Sequence, residues 1–276
     1  MEIDLAGELA PIIGQVLRIE PVVGGDICRA YRVSTSEARY FVKTPRRSDE
    51  WMLPVEAAGL KALGDVVPGL TPSVVHAESR FLVLEWVAEQ GPSREAAANL
   101  GERLAALHTH RASAFGEGPE HGRIGPLAMP SGHYESWPQM FAELRLRPLV
   151  NDRTPRSLDL VDALMDDPEW AGPPEPPSLL HGDLWSGNVL WSLSPRLVDP
   201  AAHVGHRETD LAMLALFGTP YLDTILMAYQ QVYPLARGWQ AREGLHQMWP
   251  LLVHARLFGG GYAQRAETIA TGYLQG

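Results

Sequence analysis

From residue 16 to residue 44 apolar and polar residues alternate, in VLRIEPVVGG (16–25), ICRAYRVST (27–35) and ARYFVKT (38–44). A period of two sends successive side chains to opposite faces, so the run predicts three strands. Gly24-Gly25 and the Ser34-Thr35-Ser36 cluster separate them as turns, which makes an antiparallel meander. DEWMLPVEAAGLKALG (49–64) switches to helical spacing, with Gly64 as the expected stop. SVVHAESRFLVLEWV (73–87) predicts two further strands, the second almost wholly apolar and therefore buried. After Gly91-Pro92 the pattern becomes helical. SREAAANLGERLAALHTH (93–110) has Ser93 to cap it and the stripe Leu100, Leu104, Leu107 to bury. A Gly/Pro-rich loop is expected over 114–133, and helices near 134–147, 156–167, 207–217, 219–232, 240–258 and 262–274. A loop-and-strand element at 181–199 interrupts them, and no internal repeat is visible.

Five strands and one helix followed by a mainly helical remainder predict an α+β chain of two lobes, 1–88 and 89–276, with a cleft where the character changes. Composition narrows the partners. The 276 residues carry a net charge of −10, which argues against nucleic acid, because phosphate backbones call for a basic surface. The opening MEIDLAGELAPIIGQVL lacks the basic flank of a signal peptide, and no apolar run approaches a membrane span. The one cysteine, Cys28, cannot form an intramolecular disulfide and suits a reducing compartment, so a cytoplasmic protein with no membrane partner is expected. Of 23 basic residues only Lys43 and Lys61 are lysines. Arginine evidently supplies the generic positive charge, which makes each lysine a mild candidate for work needing a compact ammonium.

The chemistry concentrates in HGDLWSGN (181–188) and LVDP (197–200). An Asp and an Asn five residues apart are, on their own, ordinary loop residues. With Asp199 they form an oxygen-rich set suited to Mg²⁺, which takes one or two carboxylates plus substrate phosphates. Phosphoryl transfer needs an Asp to take the proton of the attacking hydroxyl, metal ligands, and a lysine on the nucleotide held by a helix carboxylate. Each part has a candidate: Asp183 as base, Asn188 and Asp199 as metal ligands, Lys43 on the third strand as phosphate contact, Glu56 on the next helix as its partner. Gly24 and Gly25 would let backbone approach the phosphates of ATP. The stretch from Leu84 through Glu85 and Trp86 to Val87 would be the hinge whose backbone meets the adenine. Trp185 is open to two readings, a core residue or a ring on which the substrate stacks. His181 is read as shaping its loop, and Asp210 as bonding that loop's backbone. His203 and His206 are read as packing, since neither a Cys nor a third His lies near in sequence. Cys28 is read as a buried, inert thiol.

LLHGDLWSGNVLW (179–191), LVDPAAHVGHRETDLAMLALFG (197–218), LLVHARLFGGGY (251–262) and, more weakly, GGDICRAYRV (24–33) resemble the fructosamine 3-kinase (ketosamine 3-kinase) family. That family belongs to the aminoglycoside-phosphotransferase-like branch of the protein-kinase fold. HGD followed by Asn is shared by many small-molecule kinases, whereas HGDLWSGN with GHRE-x-DLAM and LFGGGY is far more specific. The resemblance implies a bilobal protein-kinase-like fold and ATP-dependent phosphorylation of the 3-hydroxyl of a small-molecule or protein-bound ketosamine, a deglycation repair. The missing G-x-G-x-x-G, DFG and APE segments speak against a protein kinase. Alternatives are a kinase of another hydroxyl compound, such as an aminoglycoside or choline, and a non-catalytic nucleotide-binding pseudokinase. Neither G-x-S-x-G nor H-E-x-x-H occurs, which removes the common hydrolase signatures.

Overall fold

The computed structural model describes residues 4–23, 27–47, 49–167 and 171–275. Strands β1 (Arg18–Val22), β2 (Cys28–Ser34), β3 (Arg39–Pro45), β4 (Val74–Ala77) and β5 (Leu82–Glu85) form one antiparallel sheet in the order β1-β2-β3-β5-β4. Two helices sandwich it, α1 (Leu5–Ile13) on one face and α2 (Met52–Val66) on the other. Helix α1 was not expected from the sequence. Its presence explains why β5 is apolar up to its last residue, Glu85. Leu82 and Leu84 pack on Leu53, Ala57 and Leu60 of α2, while Phe81 and Val83 pack with Leu9 of α1. Burying each such side chain contributes about 1.5–3 kcal/mol.

The same alternation aims β3. Val42 is buried on the α1 face, so Lys43 turns to the α2 face. Gly64 does not end α2, which continues to Val66. The glycine serves packing instead, since a Cβ there would stand 2.9 Å from Thr71 Oγ1. Cys28 is buried against Met52, its Sγ 3.7 Å from the thioether, and burial pushes the thiol up to about 11, which keeps it an inert thiol at neutral pH.

The chain leaves β5 through residues 86–92 and enters the larger lobe at α3 (Arg94–Thr109), where Ser93 Oγ accepts the Ala96 N–H at 3.1 Å as the cap. Helices α4 (Trp137–Met140), α5 (Pro155–Asp166), α6 (Glu208–Leu216), α7 (Leu222–Val232), α8 (Trp239–Phe258) and α9 (Tyr262–Gln275) build this lobe, and α4 runs on as a π-helical turn over Phe141–Leu146. Helix α3 lies against α7 so closely that a Cβ on Gly101 would stand 2.2 Å from Ile225 O. The expected loop at 114–133 contains a small hairpin, β6 (Arg123–Ile124) and β7 (Leu127–Ala128). Strand β8 (Ser178–Leu180) pairs with β11 (His203–Gly205), and β9 (Val189–Leu190) with β10 (Arg196–Leu197). The loops between these short strands face the small lobe and carry the chemistry. Among the described residues no helix is long and apolar enough to cross a membrane.

Candidate active site

The loop 181–188 joins β8 to β9 and is held from beneath. Asp210, on α6, accepts the backbone N–H groups of His181 at 2.8 Å and Gly182 at 2.9 Å. Burial alone would raise this carboxyl, but the His108 contact at 3.2 Å and the charges around it keep it low and ionised. Gly182 has φ +80°, and a Cβ there would stand 2.2 Å from Ala201 O, so the turn admits only glycine. His181 Nε2 donates to Val198 O at 2.9 Å while its Nδ1 accepts the Asp183 N–H at 3.2 Å. Burial lowers its pKa, so it is neutral and shapes the loop rather than moving protons.

Asp183 emerges from this cradle partly buried. Asn188 Nδ2 donates to the Asp183 backbone oxygen at 2.8 Å and to Asp183 Oδ2 at 3.2 Å, and among the described residues the amide oxygen of Asn188 has no hydrogen-bond donor. Burial, with the negative charge of Asp199 added, pushes the Asp183 carboxyl up to about 7 despite the Asn188 hydrogen bond.

Facing it is a lysine shared by two carboxylates. Lys43 Nζ lies 2.9 and 3.0 Å from the oxygens of Glu56 and 2.8 Å from Asp199 Oδ1, so the small lobe is bonded to the large one at this point. Burial would lower the Lys43 pKa, but the two anions raise it well above its ordinary value. Burial and the Asp199 charge raise Glu56, while Asp199 itself stays low because Lys43 offsets its own burial cost. Lys43 and Glu56 side chains are 12% and 11% exposed against 47% for Asp199, so the carboxylate that opens to the cleft is the one proposed as a metal ligand. Asp199 holds φ +56°, a left-handed backbone that non-glycine residues adopt rarely and mostly where function requires it.

Glu85 closes β5 at the lobe junction, its side chain accepting the Ser73 N–H at 3.1 Å, while the backbone N–H groups of Glu85 and Trp86 donate to Ser73 O and Arg39 O. The junction is tied to the large lobe by the Gln90 N–H donating to Trp191 O at 2.9 Å. The Gly24-Gly25 turn and Asp26 lie outside the described residues. Trp185 is not core. Its side chain is 39% exposed and folds over Gly187, where a Cβ would stand 2.2 Å from the ring.

The structure adds residues that the sequence reading did not single out. Trp185 meets Phe217 edge-on at 6.3 Å, Phe217 meets His254 at 4.8 Å, and His254 meets Tyr262 at 5.2 Å. An aromatic row therefore runs from beside Asp183 across α8 to the start of α9. His254 and Phe258 at helical spacing, just before the glycines, are the signal that could have found it. His108, buried between Asp210 and the Tyr229 hydroxyl at 3.0 Å, was also passed over. Although no third His is near His206 in sequence, α8 brings in His246 in space, with Glu208 beside both. Glu208 is nevertheless already forked by Arg242 at 3.0 and 2.5 Å, and His246 Nδ1 lies 2.9 Å from Thr209 Oγ1.

A family model described as Fructosamine kinase matches residues 11–276. The chain belongs to the fructosamine kinase family. A Synechocystis protein named as a probable ketoamine kinase is 33% identical over 96% of this chain and 94% of its own. The Arabidopsis thaliana protein-ribulosamine 3-kinase, chloroplastic, is 31% identical over 95% of this chain and 84% of its own. A crystal structure from Thermobifida fusca, of a protein assigned as a fructosamine-3-kinase, superposes with a TM-score of 0.90 and 39% identity, covering 99% of each chain. Choline kinase LicA from Streptococcus pneumoniae shares the fold at a TM-score of 0.63 and 16% identity, over 98% of this chain and 97% of that one. The bilobal α+β kinase fold and ATP-dependent small-molecule kinase activity follow from this membership together with the site.

Proposed function

We propose that this kinase transfers the γ-phosphoryl group of Mg-ATP to the 3-hydroxyl of a ketosamine, the rearranged adduct of a sugar and an amine. The observation that carries the reading is Asp183, a carboxyl poised near neutrality and set between the Lys43–Glu56–Asp199 cluster and the aromatic row that starts at Trp185. In this reading residues 1–88 form the nucleotide lobe and 89–276 the lobe that holds the acceptor. Gly24, Gly25 and Lys43 grip phosphates, Glu56 holds Lys43, and the Glu85–Val87 backbone meets the adenine. The amide oxygen of Asn188 and the open carboxylate of Asp199 are oxygen donors that fit a hard cation. Bound there, Mg²⁺ would neutralise charge between the β- and γ-phosphates. Asp183 takes the proton as the acceptor hydroxyl attacks, and Lys43 stabilises the charge on the phosphates.

The acceptor argument is one of shape and charge. A ketosamine has an apolar sugar face that suits the Trp185 ring and a protonated secondary amine that suits a cleft in a chain of net charge −10. The ribulosamine and ketoamine names of the relatives support the same substrate class. Phosphorylation at O3 would lead to loss of phosphate and release of the amine, a repair outcome, and one buried thiol is compatible with a cytoplasmic setting. An aminoglycoside or choline kinase would share the phosphate machinery, so the acceptor decides. Incubation with Mg-ATP and fructosyl- or ribulosyl-lysine, with NMR of the product, is expected to show phosphate on O3 and little turnover of aminoglycosides or choline. Brisk aminoglycoside phosphorylation without ketosamine turnover would remove the assignment.

The pH dependence follows from Asp183. A base works only when ionised, and its pKa is pushed up to about 7, so protonation removes activity on the acid side. The profile of kcat/KM, which reports the free enzyme, should bend near pH 7 and fall about tenfold per unit below it. A limb near pH 4 would mean that Asp183 ionises as an ordinary surface carboxyl.

A further inference from the structure

The hairpin of β6 and β7 is rooted in one lobe and rests on the other. Ile124, beside its turn, and Met129, just past β7, are 6% and 4% exposed and belong to the core cluster of Trp137, Phe141 and Trp249 in the large lobe. The outer side of the hairpin meets the small lobe at three separate places. Arg123 Nη2 lies 3.4 Å from Asp49 Oδ1. The His121 ring stacks on Trp51 with centroids 3.9 Å apart. At the turn, Gly125 has φ +55°, and a Cβ there would stand 3.2 Å from Ile27 Cδ1 and 3.7 Å from Leu257 Cδ1 of α8.

These contacts fall on the parts that set the phosphate grip. Asp49 Oδ1 also accepts the N–H groups of Trp51 and Met52 at 3.0 and 3.1 Å, so the carboxylate that meets Arg123 holds the turn that leads into α2. Glu56 lies one turn beyond Met52, and Ile27 packs with Leu53 of the same helix. In the chain the lobes are joined through residues 86–92, and they also meet beyond the C-terminal end of α2, where Leu63 and Leu70 share a core with Leu100 and Leu197 and the Leu197 N–H donates to Leu70 O at 2.8 Å. The Lys43–Asp199 bond of 2.8 Å spans the cleft between them. A change of about 1 Å in the separation of the lobes would open it.

We infer that His121 and Arg123 are positioning residues: the hairpin is a further tie between the lobes, at the N-terminal end of α2, that adjusts the seat of that helix and through Glu56 the placing of Lys43 on the phosphates. This rests on the kinase reading of the site but not on the choice of acceptor. Each contact alone is modest, because a partly exposed ion pair contributes little and a ring stack somewhat more. Together they tune the grip rather than create it.

Mg-ATP affinity by calorimetry tests this without any acceptor, so the result stands whether or not ketosamines are substrates. His121→Ala with Arg123→Ala is expected to weaken Mg-ATP binding about three- to tenfold. The melting temperature of the free protein should shift by no more than a few degrees, on the order expected for surface contacts. His121→Phe with Arg123→Lys restores a ring and a charge and should recover most of the affinity, which a merely structural role would not predict. Asp49→Asn, which keeps an acceptor for the Trp51 and Met52 N–H groups and drops the ion pair, should weaken binding in the same direction by about twofold, and it supplies the measurement should the double variant fold poorly. Wild-type affinity in the Ala variants, or in Asp49→Asn, overturns the inference. So does a Phe/Lys variant no better than the Ala one.

Discussion

Asp183→Asn is expected to lower kcat by about 10²–10⁴-fold, the scale of general-base assistance, while leaving Mg-ATP affinity near that of the wild type. The substitution keeps the size of the side chain and removes the proton acceptor. Lys43, Glu56 and Asp199 are bonded to one another and not to Asp183, so the nucleotide grip is unaffected. The stability consequence has a definite sign. The folded carboxyl is pushed up to about 7 from an ordinary Asp value. Its contribution to stability is therefore present below the ordinary Asp pKa and lost as pH rises through 7, where an anion must be held beside Asp199. Asn carries no such cost, so the variant should gain thermal stability relative to wild type between pH 6 and pH 8. Turnover close to wild type would take the base role from Asp183. A thermal advantage that does not grow with pH would show that the carboxyl is not held against its charge.

The second large effect is at the cluster opposite. Lys43→Arg is expected to cost about 10²–10³-fold in kcat/KM, the scale of losing a preorganised electrostatic contact. The ammonium sits between two carboxylates at 2.8–3.0 Å. A planar fork keeps the charge, and so keeps Glu56 from being an unpaired buried anion, but it cannot occupy a point shared by three groups. Asp199→Ala should be inactive at any practical Mg²⁺ concentration, with the protein still folded because Lys43 retains Glu56. Substantial activity in Lys43→Arg would reduce the lysine to a structural cation. Activity in Asp199→Ala, titrating normally with Mg²⁺, would move the metal elsewhere.

Much of this site was legible because its residues are local or follow a strict period. Asp183 and Asn188 share one loop, and alternation along β3 fixes which side of the sheet receives Lys43. The apolar run of β5 showed that it was buried, but not what covered it. Helix α1 went unseen because it is only nine residues long and carries Pro11 inside it, which reads as a break rather than as helix. The hairpin at 123–128 is two residues per strand, too short for a period of two to register. His108 and His246 could not be assigned from sequence, because their partners lie 102 and 37 positions away. Helix packing, which depends on the whole core, brings those pairs together. The extra partner found for His206 shows the same limit, since nearness in sequence says little about nearness across a helical lobe.

The pairing of Lys43 has one more consequence. Of the two lysine amines in the chain, Lys61 on α2 is exposed, while Lys43 is held protonated between two carboxylates. An acylating reagent needs a free amine lone pair, so at neutral pH it meets a single side-chain amine on the surface of this protein. Lys43 becomes reactive only in those moments when it is released both from Asp199 across the cleft and from Glu56 within its own lobe. In a chain whose other basic side chains are all arginine, the rate of that slow second labelling event is a clock for the breaking of this cluster.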